Sequence, residues 1–416
     1  MNYLSINEWG ALARENPTEW AASVRRAVTG CVQQTGTAVV SWDVSADGCE
    51  LHRGPLAGVP YGLKELFDLE GWPSHNSSVH PDLMRARARG DSDVVQHLNG
   101  LGATCAAKTQ MNEFAYGLSG ENPHYGNCPH PHLKGCLTGG SSGGSAHLVA
   151  GGYVPLAFGT DTGGSIRLPA AWCGLYGLRC VPGYKMGGCF PLARSFDAVG
   201  WFTRTLEDMR TATAAWFGDP SARAAASLRG SCLMPEDLVD AATFARLSDA
   251  VGKLGLVADA RSAELEAWLP SCNVAFNVLQ SGEAYGIHRQ WIGPYGDFYD
   301  PLVRARILRA EQWTPEEIQS ARDFRAKVMA WFDTYFETYD YLVLPACPRP
   351  AVSVAETTPD LREKILRLTS PASLARRPVI TVPFVLDGRQ TVGLQFIFKE
   401  LDGATALGLL DLCASI

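Results

Sequence analysis

The sequence predicts an α/β fold, because short apolar strands alternate with amphipathic helices along the chain. Residues 341–345 and 379–383 are almost wholly apolar, as expected of strands that are buried on both faces. The chain has 416 residues, of which 46% are hydrophobic and 19% are charged, an ordinary globular composition. No Ser/Gly linker, proline-rich spacer, charge block or internal repeat divides it. We therefore expect one domain that spans residues 1–416.

The N-terminal part of the chain begins with two predicted helices within residues 5–35. Ser5 with Glu8 three positions later forms a capping-box pattern, and Pro17 suits the first turn of a second helix. Apolar runs and helical spacing then predict the following elements. Strands are expected at 37–42, 55–64, 103–108 and 154–160, and helices at 92–101, 145–150 and 166–174.

Helical patterns dominate from about residue 205 onward. Thr314 as N-cap and Pro315 at the first helical position predict a helix that runs to Tyr335. Further helices are expected at 205–217, 238–256, 262–268 and 403–413, and strands at 341–345, 379–383 and 392–398.

Charge and hydropathy exclude several classes of function. A net charge of -7 without any basic run argues against nucleic acid as a partner. The N-terminus lacks a basic and then apolar leader, and the longest apolar stretch, 148–158, is too short to cross a bilayer about 30 Å thick. The 12 cysteines show no repeated spacing, as expected of reduced core residues. We expect a cytoplasmic protein that does not bind a membrane.

One segment contains four potential metal ligands within nine residues: Cys128, His130, His132 and Cys136. Two prolines stiffen this segment, and the order of the ligands is not that of a familiar zinc site. We therefore expect an irregular loop with no metal.

Two segments that place serine among glycines carry the strongest chemical pattern. Ser141 lies in Gly-Gly-Ser-Ser-Gly-Gly, residues 139–144, and Ser165 follows Thr-Gly-Gly at 162–164. Glycines let backbone N–H groups surround a reacting carbonyl and stabilise the oxyanion that forms on it. A helix predicted just after Ser165 would add the favourable end of its dipole.

A serine hydroxyl needs a base, and Lys64 is the candidate. Lysine can accept a proton only when it is neutral, and burial lowers its pKa. Lys64 ends an apolar run, 58–63, which favours burial, and Ser141 could pass a proton between Lys64 and Ser165. A plain Gly/Ser linker is the alternative for residues 139–144, and a phosphate loop is disfavoured because no lysine follows Gly144.

These segments and their neighbours resemble the amidase signature family. The resemblance covers about 55–200 closely, which is the expected catalytic core, and the rest loosely. It is carried by 139–145 and 154–174, by 54–60 with Lys64, by Lys108 with 112–115 and 121–123, by 191–192 with Ser195 and Asp197, and by 393–395.

The resemblance implies a single α/β domain with a large twisted mixed sheet covered by helices. It implies an amidase that cuts a linear amide to an acid plus ammonia or an amine without a cofactor. Ser165 would be the nucleophile, Ser141 the bridging serine preceded by a cis peptide bond, and Lys64 the general base. The oxyanion hole would consist of the N–H groups of Thr162, Gly163, Gly164 and Ser165.

The substrate is less well defined, and we expect a small amide, carboxylate-bearing or urea-like, rather than a lipid. Candidate substrate contacts are Tyr116, Gly140 beside the bridging serine, and the pair Arg376 and Arg377, whose charges would suit a carboxylate. Core packing is the alternative for Tyr116, and surface charge on a turn for the arginine pair. The aromatic and ionisable stretch 280–300 could face the substrate or form an amphipathic helix and loop.

Two other functions remain open. One is the glutamine-handling component of a tRNA-dependent amidotransferase, which works in a complex, and the other is an inactive homologue that serves as a scaffold. The resemblance also suggests a homodimer.

Overall fold

Ten strands form one central sheet in the computed structural model, which describes residues 3–42, 53–85 and 87–416. The strands are β1 Val39–Ser41, β2 Pro60–Lys64, β3 Thr104–Thr109, β4 Leu156–Asp161, β5 Tyr176–Arg179, β6 Ala198–Thr203, β7 Gly230–Cys232, β8 Tyr341–Pro345, β9 Val379–Asp387 and β10 Gln390–Phe398. Their order is β1-β3-β2-β4-β6-β5-β9-β10-β8-β7. β2 is parallel to β3 and β4, and β7 is parallel to β8, whereas the other pairs are antiparallel. The predicted α/β fold with a mixed sheet is confirmed.

Helices surround this sheet, and two clusters of buried side chains form the core. The described ranges contain α1 Ile6–Glu15, α2 Pro17–Thr35, α3 Pro81–Met84, α4 Asp93–Leu101, α5 Gly143–Ala150, α6 Arg167–Cys173, α7 Leu206–Phe217, α8 Ala241–Lys253, α9 Ala260–Tyr295, α10 Pro301–Leu308, α11 Pro315–Tyr335, α12 Pro359–Leu374 and α13 Gly403–Cys413. Of these helices, none combines the length and the apolar character needed to cross a bilayer.

Local capping rules account for the helix starts that the sequence predicts. Ser5 and Glu8 form a capping box at α1, and Thr314 with Glu317 forms another at α11. Each pair satisfies two backbone N–H groups that a helix would otherwise leave without partners. The predicted starts of α1 and α11 are therefore confirmed at residue level.

Helix α9 extends much further than the prediction that ended it at residue 268. It continues through Pro270 and reaches Tyr295. Proline lacks the N–H that a helix interior uses, and it normally ends or kinks a helix. Here Leu269 and Phe276, on either side of Pro270, are buried, and this core packing outweighs the local preference.

The sequence did not predict several short or interrupted elements. β5 holds Gly177 and Arg179, which break its apolar run, and α12 contains Pro371. Short apolar runs cannot be assigned by periodicity alone, and an internal proline argues against a helix. The missed elements are α3, α10, α12, β5, β6 and β7.

Two parallel strands bring the chemical segments together. Lys64 is the last residue of β2 and Asp161 is the last residue of β4, and the two strands are hydrogen-bonded neighbours. Parallel neighbours end at the same edge of a sheet. The glycine loop before α5 and the loop 162–166 before α6 therefore meet at the end of β2.

Asp161 is the centre of a buried ion cluster at this edge. Its carboxylate accepts hydrogen bonds from Arg167 Nη2 at 2.8 Å and from Arg179 Nε at 3.2 Å, and all three side chains are fully buried. Burial alone would raise the pKa of Asp161, but the two guanidinium groups outweigh it and hold the pKa well below its usual range.

We expect Asp161→Asn to destabilise the fold by about 3–5 kcal/mol, because it leaves two buried guanidinium groups without a counter-charge. Urea unfolding followed by circular dichroism measures the change. The matched control is Asp249→Asn, which removes an exposed carboxylate paired with Lys253 on α8 and should leave the unfolding midpoint unchanged. Equal midpoints for Asp161→Asn and wild type would contradict the central role of this cluster.

Candidate active site

Lys64 lies fully buried among hydroxyl groups at the end of β2. Its Nζ is 2.8 Å from Ser141 Oγ, 3.0 Å from Ser142 Oγ and 2.9 Å from Thr160 Oγ1. Hydroxyl groups both donate and accept, so they can serve a neutral or a charged amine. The structure therefore brings Lys64 and Ser141 together, as the sequence predicts.

Burial lowers the pKa of Lys64 from 10.5 to about 7. The desolvation of the ammonium group dominates, although the buried carboxylates of Asp197 and Asp161 oppose it. Near pH 7, a substantial fraction of the protein molecules therefore carry Lys64 in its neutral form. A neutral amine beside a hydroxyl is chemically able to accept a proton from it.

The Gly140–Ser141 peptide bond is cis, as the family resemblance implies. Asn112 holds this loop, since its backbone N–H donates to the Ser141 carbonyl at 3.3 Å. A side chain at Gly140 would place its Cβ 2.0 Å from Asn112 Oδ1, so only glycine fits there. The structure thus packs Gly140 tightly beside the bridging serine, and a contact of Gly140 with substrate stays a prediction.

Ser165 lies in the loop between β4 and α6, only 3% exposed. Its hydroxyl has no hydrogen-bond partner within the described part of the chain, and Ser165 lines a narrow cavity. No hydrogen bond joins it to Ser141 among these residues. The relay from Ser165 through Ser141 to Lys64 therefore stays a prediction, with its Ser141–Lys64 half present in the structure.

Three of the four predicted oxyanion donors are free. The N–H groups of Thr162, Gly163 and Ser165 have no partner in the described ranges, whereas the N–H of Gly164 donates to Asp161 Oδ1 at 2.9 Å. The hydrogen bond to Asp161 holds the turn that presents the other three. Backbone donors fixed in this way can stabilise a developing negative charge without reorganising.

Side chains from distant elements hold the oxyanion loop in place. Thr162 Oγ1 donates to Asp197 Oδ1 at 2.6 Å, and Thr369 Oγ1 on α12 donates to the Gly163 carbonyl at 2.7 Å. Burial raises the pKa of Asp197 to about 6, so this carboxyl is largely ionised at neutral pH. A Cβ at Gly163 would lie 2.7 Å from the Phe276 ring, so this glycine allows close packing.

The narrow cavity at Ser165 includes residues that the sequence did not suggest. Tyr116, a predicted candidate, lines it, and so do Thr162 and Gly163 of the oxyanion loop. Helices α9 and α12 supply the remaining side chains that matter here: Phe276, Gln280, Arg362 and Leu366. Helical spacing would have placed Arg362 and Leu366 on one face with Thr369, but α12 itself was not predicted.

Arg376 and Arg377 bind elsewhere and do not line this cavity. The Arg377 guanidinium forms an ion pair with Asp333, donates to the Lys399 carbonyl at 2.8 Å and lies over the Phe336 ring. Arg376 Nη2 points to a backbone carbonyl at 3.5 Å. Arg377 therefore contacts α11 and the residue after β10, whereas Arg376 is exposed beside Pro182.

The stretch 280–300 forms the end of α9 and the turn after it. Gln280 lines the cavity with Ser165. Glu283 accepts a hydrogen bond from the Ser195 N–H at 2.9 Å, and the buried His288 ring packs against Tyr299. Most of this stretch therefore packs against neighbouring elements, and Gln280 is its residue that lines the cavity with Ser165.

The histidines of the cysteine- and histidine-containing segment bond to backbone carbonyls. His130 lies 2.9 Å from the Trp172 carbonyl, and His132 lies 2.8 Å from the Ala150 carbonyl. Burial lowers the pKa of His130 to about 4, which keeps it neutral. Among the described residues, no three histidine, cysteine or acidic side chains converge as a metal site would require.

Comparison with known proteins agrees with this geometry. The family model described as Amidase matches residues 20–236 and 288–407. The chain is 33% identical over 377 residues to AtzE, a component of the 1-carboxybiuret hydrolase of Pseudomonas sp. (strain ADP), covering 81% of this chain and 80% of the relative. It is 32% identical to an indoleacetamide hydrolase of Pseudomonas savastanoi, covering 85% of this chain and 82% of the relative.

A third relative belongs to a multi-protein enzyme. The chain is 32% identical over 396 residues to a component of the glutamyl-tRNA(Gln) amidotransferase of Symbiobacterium thermophilum, covering 83% of this chain and 80% of the relative. Hydrolases and a transferase therefore share this sequence pattern.

The fold comparison points the same way. A crystal structure of an amidase superposes with a TM-score of 0.84 and 27% identity over 99% of both chains. The residues that the family model matches include the segments that hold Lys64, Ser141 and Ser165. The chain therefore belongs to the Amidase family, the family of amidase signature proteins.

Proposed function

We propose that this chain hydrolyses a small-molecule carboxamide to a carboxylic acid plus ammonia or an amine, through an acyl-enzyme on Ser165. The observation that carries the proposal is the buried Lys64 amine, whose pKa of about 7 lets it act as a base, 2.8 Å from Ser141 Oγ. Burial of an ammonium group is costly, and the hydrogen-bond partners of the Lys64 Nζ are hydroxyl groups and one carbonyl rather than a carboxylate, which favours the neutral amine.

The reaction has two halves. Ser165 Oγ attacks the amide carbon while its proton passes through Ser141 to Lys64, and the N–H groups of Thr162, Gly163 and Ser165 bind the oxyanion. The tetrahedral intermediate then collapses, and the leaving amine takes the proton back from Lys64 through Ser141. Water then attacks the acyl ester while its proton passes through Ser141 to Lys64. As the second tetrahedral intermediate collapses, the C–O bond to Ser165 breaks, Lys64 returns the proton through Ser141 to Ser165 Oγ, and the acid leaves.

We propose that the enzyme is cytoplasmic and that it acts on a small, soluble amide. The narrow cavity at Ser165 supports a small substrate. The likeness to a component of a 1-carboxybiuret hydrolase supports a polar, urea-like amide rather than a lipid. We propose no cofactor and no nucleic acid partner, in line with the net charge of -7, and a homodimer as the state of assembly.

A second candidate is an ammonia-transferring component of a complex, favoured by the likeness to the glutamyl-tRNA(Gln) amidotransferase. Ammonia release by the purified chain alone, from an amide other than glutamine, would favour the hydrolase. Release only from glutamine, and only with partner proteins present, would favour the transferase. An inactive scaffold would release none, and a serine-directed probe would fail to label Ser165.

We expect Ser165→Ala to lower kcat for amide hydrolysis by at least about 10³-fold, since no other group can form the acyl ester. Ammonia release from a panel of small amides measures the loss. The matched control is Ser227→Ala, an exposed serine remote from the cavity, which should keep full activity. Equal activity of Ser165→Ala and wild type would remove this residue from the role of nucleophile.

The pH profile tests Lys64 as the base. We expect kcat/KM to rise with pH, with a midpoint near the Lys64 pKa of about 7, and to level off above it, because only the neutral amine accepts the proton. Asp197, with a pKa of about 6, ionises in the same range, so the profile is repeated with Asp197→Asn. The rise should persist in that variant with its midpoint moved below 7, because the Asp197 carboxylate raises the Lys64 pKa, whereas a flat profile in wild type contradicts the assignment.

A further inference from the structure

A larger cavity of about 260 Å³ adjoins the narrow cavity at Ser165. Leu118 and Arg362 line both of them, so the two cavities share a wall. The larger cavity lies between the end of α10 and the start of α12, with Trp172 and Ile365 among its apolar lining. A molecule bound there would lie directly beside the nucleophile.

Three arginines line this larger cavity: Arg306, Arg309 and Arg362. Glu121 lines it too, but no ion pair within 4.0 Å joins Glu121 to any of them in the described ranges. Arg306 donates to the Tyr116 carbonyl at 2.6 Å, whereas the guanidinium groups of Arg309 and Arg362 have no hydrogen-bond partner among the described residues.

The fully buried arginines among the described residues are paired, whereas Arg306 and Arg362 are half-buried and Arg309 is exposed. Arg167 and Arg179 are fully buried and share Asp161. Charged groups removed from water are normally paired or hydrogen-bonded, because an uncompensated charge is costly. Arg362 keeps some exposure on the cavity side and departs from this rule at the point where the two cavities meet.

Electrostatics around Arg362 disfavours leaving the cluster without an anion. Burial, together with the charge of Arg306 as a smaller cause, lowers the pKa of Arg362 to about 9. Burial also lowers the pKa of Arg306. Like charges held together in a low-dielectric setting repel, and a carboxylate placed between them would relieve that repulsion.

We propose that the amide substrate carries a carboxylate, which Arg362 binds with support from Arg306 and Arg309 while the carboxamide reaches Ser165. This inference rests on the proposed amidase function. Guanidinium groups match the geometry of a carboxylate and can bind it through two parallel hydrogen bonds. Because Arg362 lines both cavities, the carboxylate and the scissile carbonyl are separated by only a short linker in the substrate.

Kinetics with matched amide pairs tests this specificity. The monoamides of malonic, succinic and glutaric acids are compared with their diamides, which have the same length but no charge. We expect wild type to favour the best monoamide over its diamide by about 10–100-fold in kcat/KM, the range of a charged hydrogen bond. Arg362→Gln should remove most of this preference, and Arg362→Lys should keep part of it.

The matched control is Arg289→Gln, which removes an exposed arginine of α9 and should leave the monoamide preference unchanged. Equal kcat/KM of wild type for each monoamide and its diamide would overturn the inference, while the hydrolysis of both would leave the amidase function in place. An unchanged preference in Arg362→Gln would also overturn it.

Ligand binding to a variant without the Ser165 hydroxyl tests the carboxylate site independently of catalysis. Calorimetric titration of Ser165→Ala with each monoamide and diamide should show tighter binding of a monoamide by about tenfold or more, lost on the addition of Arg362→Gln. Such binding by a chain that hydrolyses no amide would support the carboxylate site and contradict the amidase function. Equal binding of monoamide and diamide would overturn the carboxylate site.

Discussion

The buried carboxylate of Asp161 is the constraint on which the site depends. It accepts hydrogen bonds from the N–H groups of Gly164 and Ile166, which turns the chain after β4 and exposes the intervening Ser165 to the cavity. It also holds Arg167, whose remaining donors reach the Thr369 carbonyl on α12 and a side chain on β10. The Asp161 carboxylate therefore fixes the loop that holds Ser165 and connects it through Arg167 to α12 and β10, because a buried guanidinium needs acceptors for its donors.

Lys64 lies in the same low-dielectric interior, but there burial favours the neutral form of its side chain. Asp161 is kept charged by two cations, whereas Lys64 is given hydroxyl partners and carboxylates that are too weakly coupled to restore its usual pKa. The difference lies in pairing: a paired charge stays ionised and supports the fold, and an amine without a direct counter-ion becomes a base. The two groups are coupled, since the Asp161 carboxylate raises the pKa of Lys64 against the larger effect of burial.

The sequence predicted the contact between Lys64 and Ser141 better than it predicted the elements around them. Lys64, Ser141 and the loop before Ser165 could be predicted because their residue types and glycines are local requirements of the reaction. Asp161 as the holder of the turn could not, since its role depends on two arginines that reach it through the fold. The sequence also offered Arg376 and Arg377 as candidates for substrate recognition, with surface charge on a turn as the alternative. The structure engages that pair with Asp333 and backbone carbonyls.

There is a physical reason why Arg376 and Arg377 contact other parts of the protein instead of the cavity. The sequence shows where arginines stand, but it does not show which of them pair with a carboxylate in the fold. An arginine without such a partner is the one that can bind an anionic ligand. Arg377 has its carboxylate, so a substrate anion would have to compete with Asp333. Arg362 has no such partner among the described residues, and it lies on the wall that the nucleophile's cavity shares with its neighbour. Arg377 is thus committed to Asp333, whereas the Arg362 guanidinium is available for the substrate carboxylate that we propose.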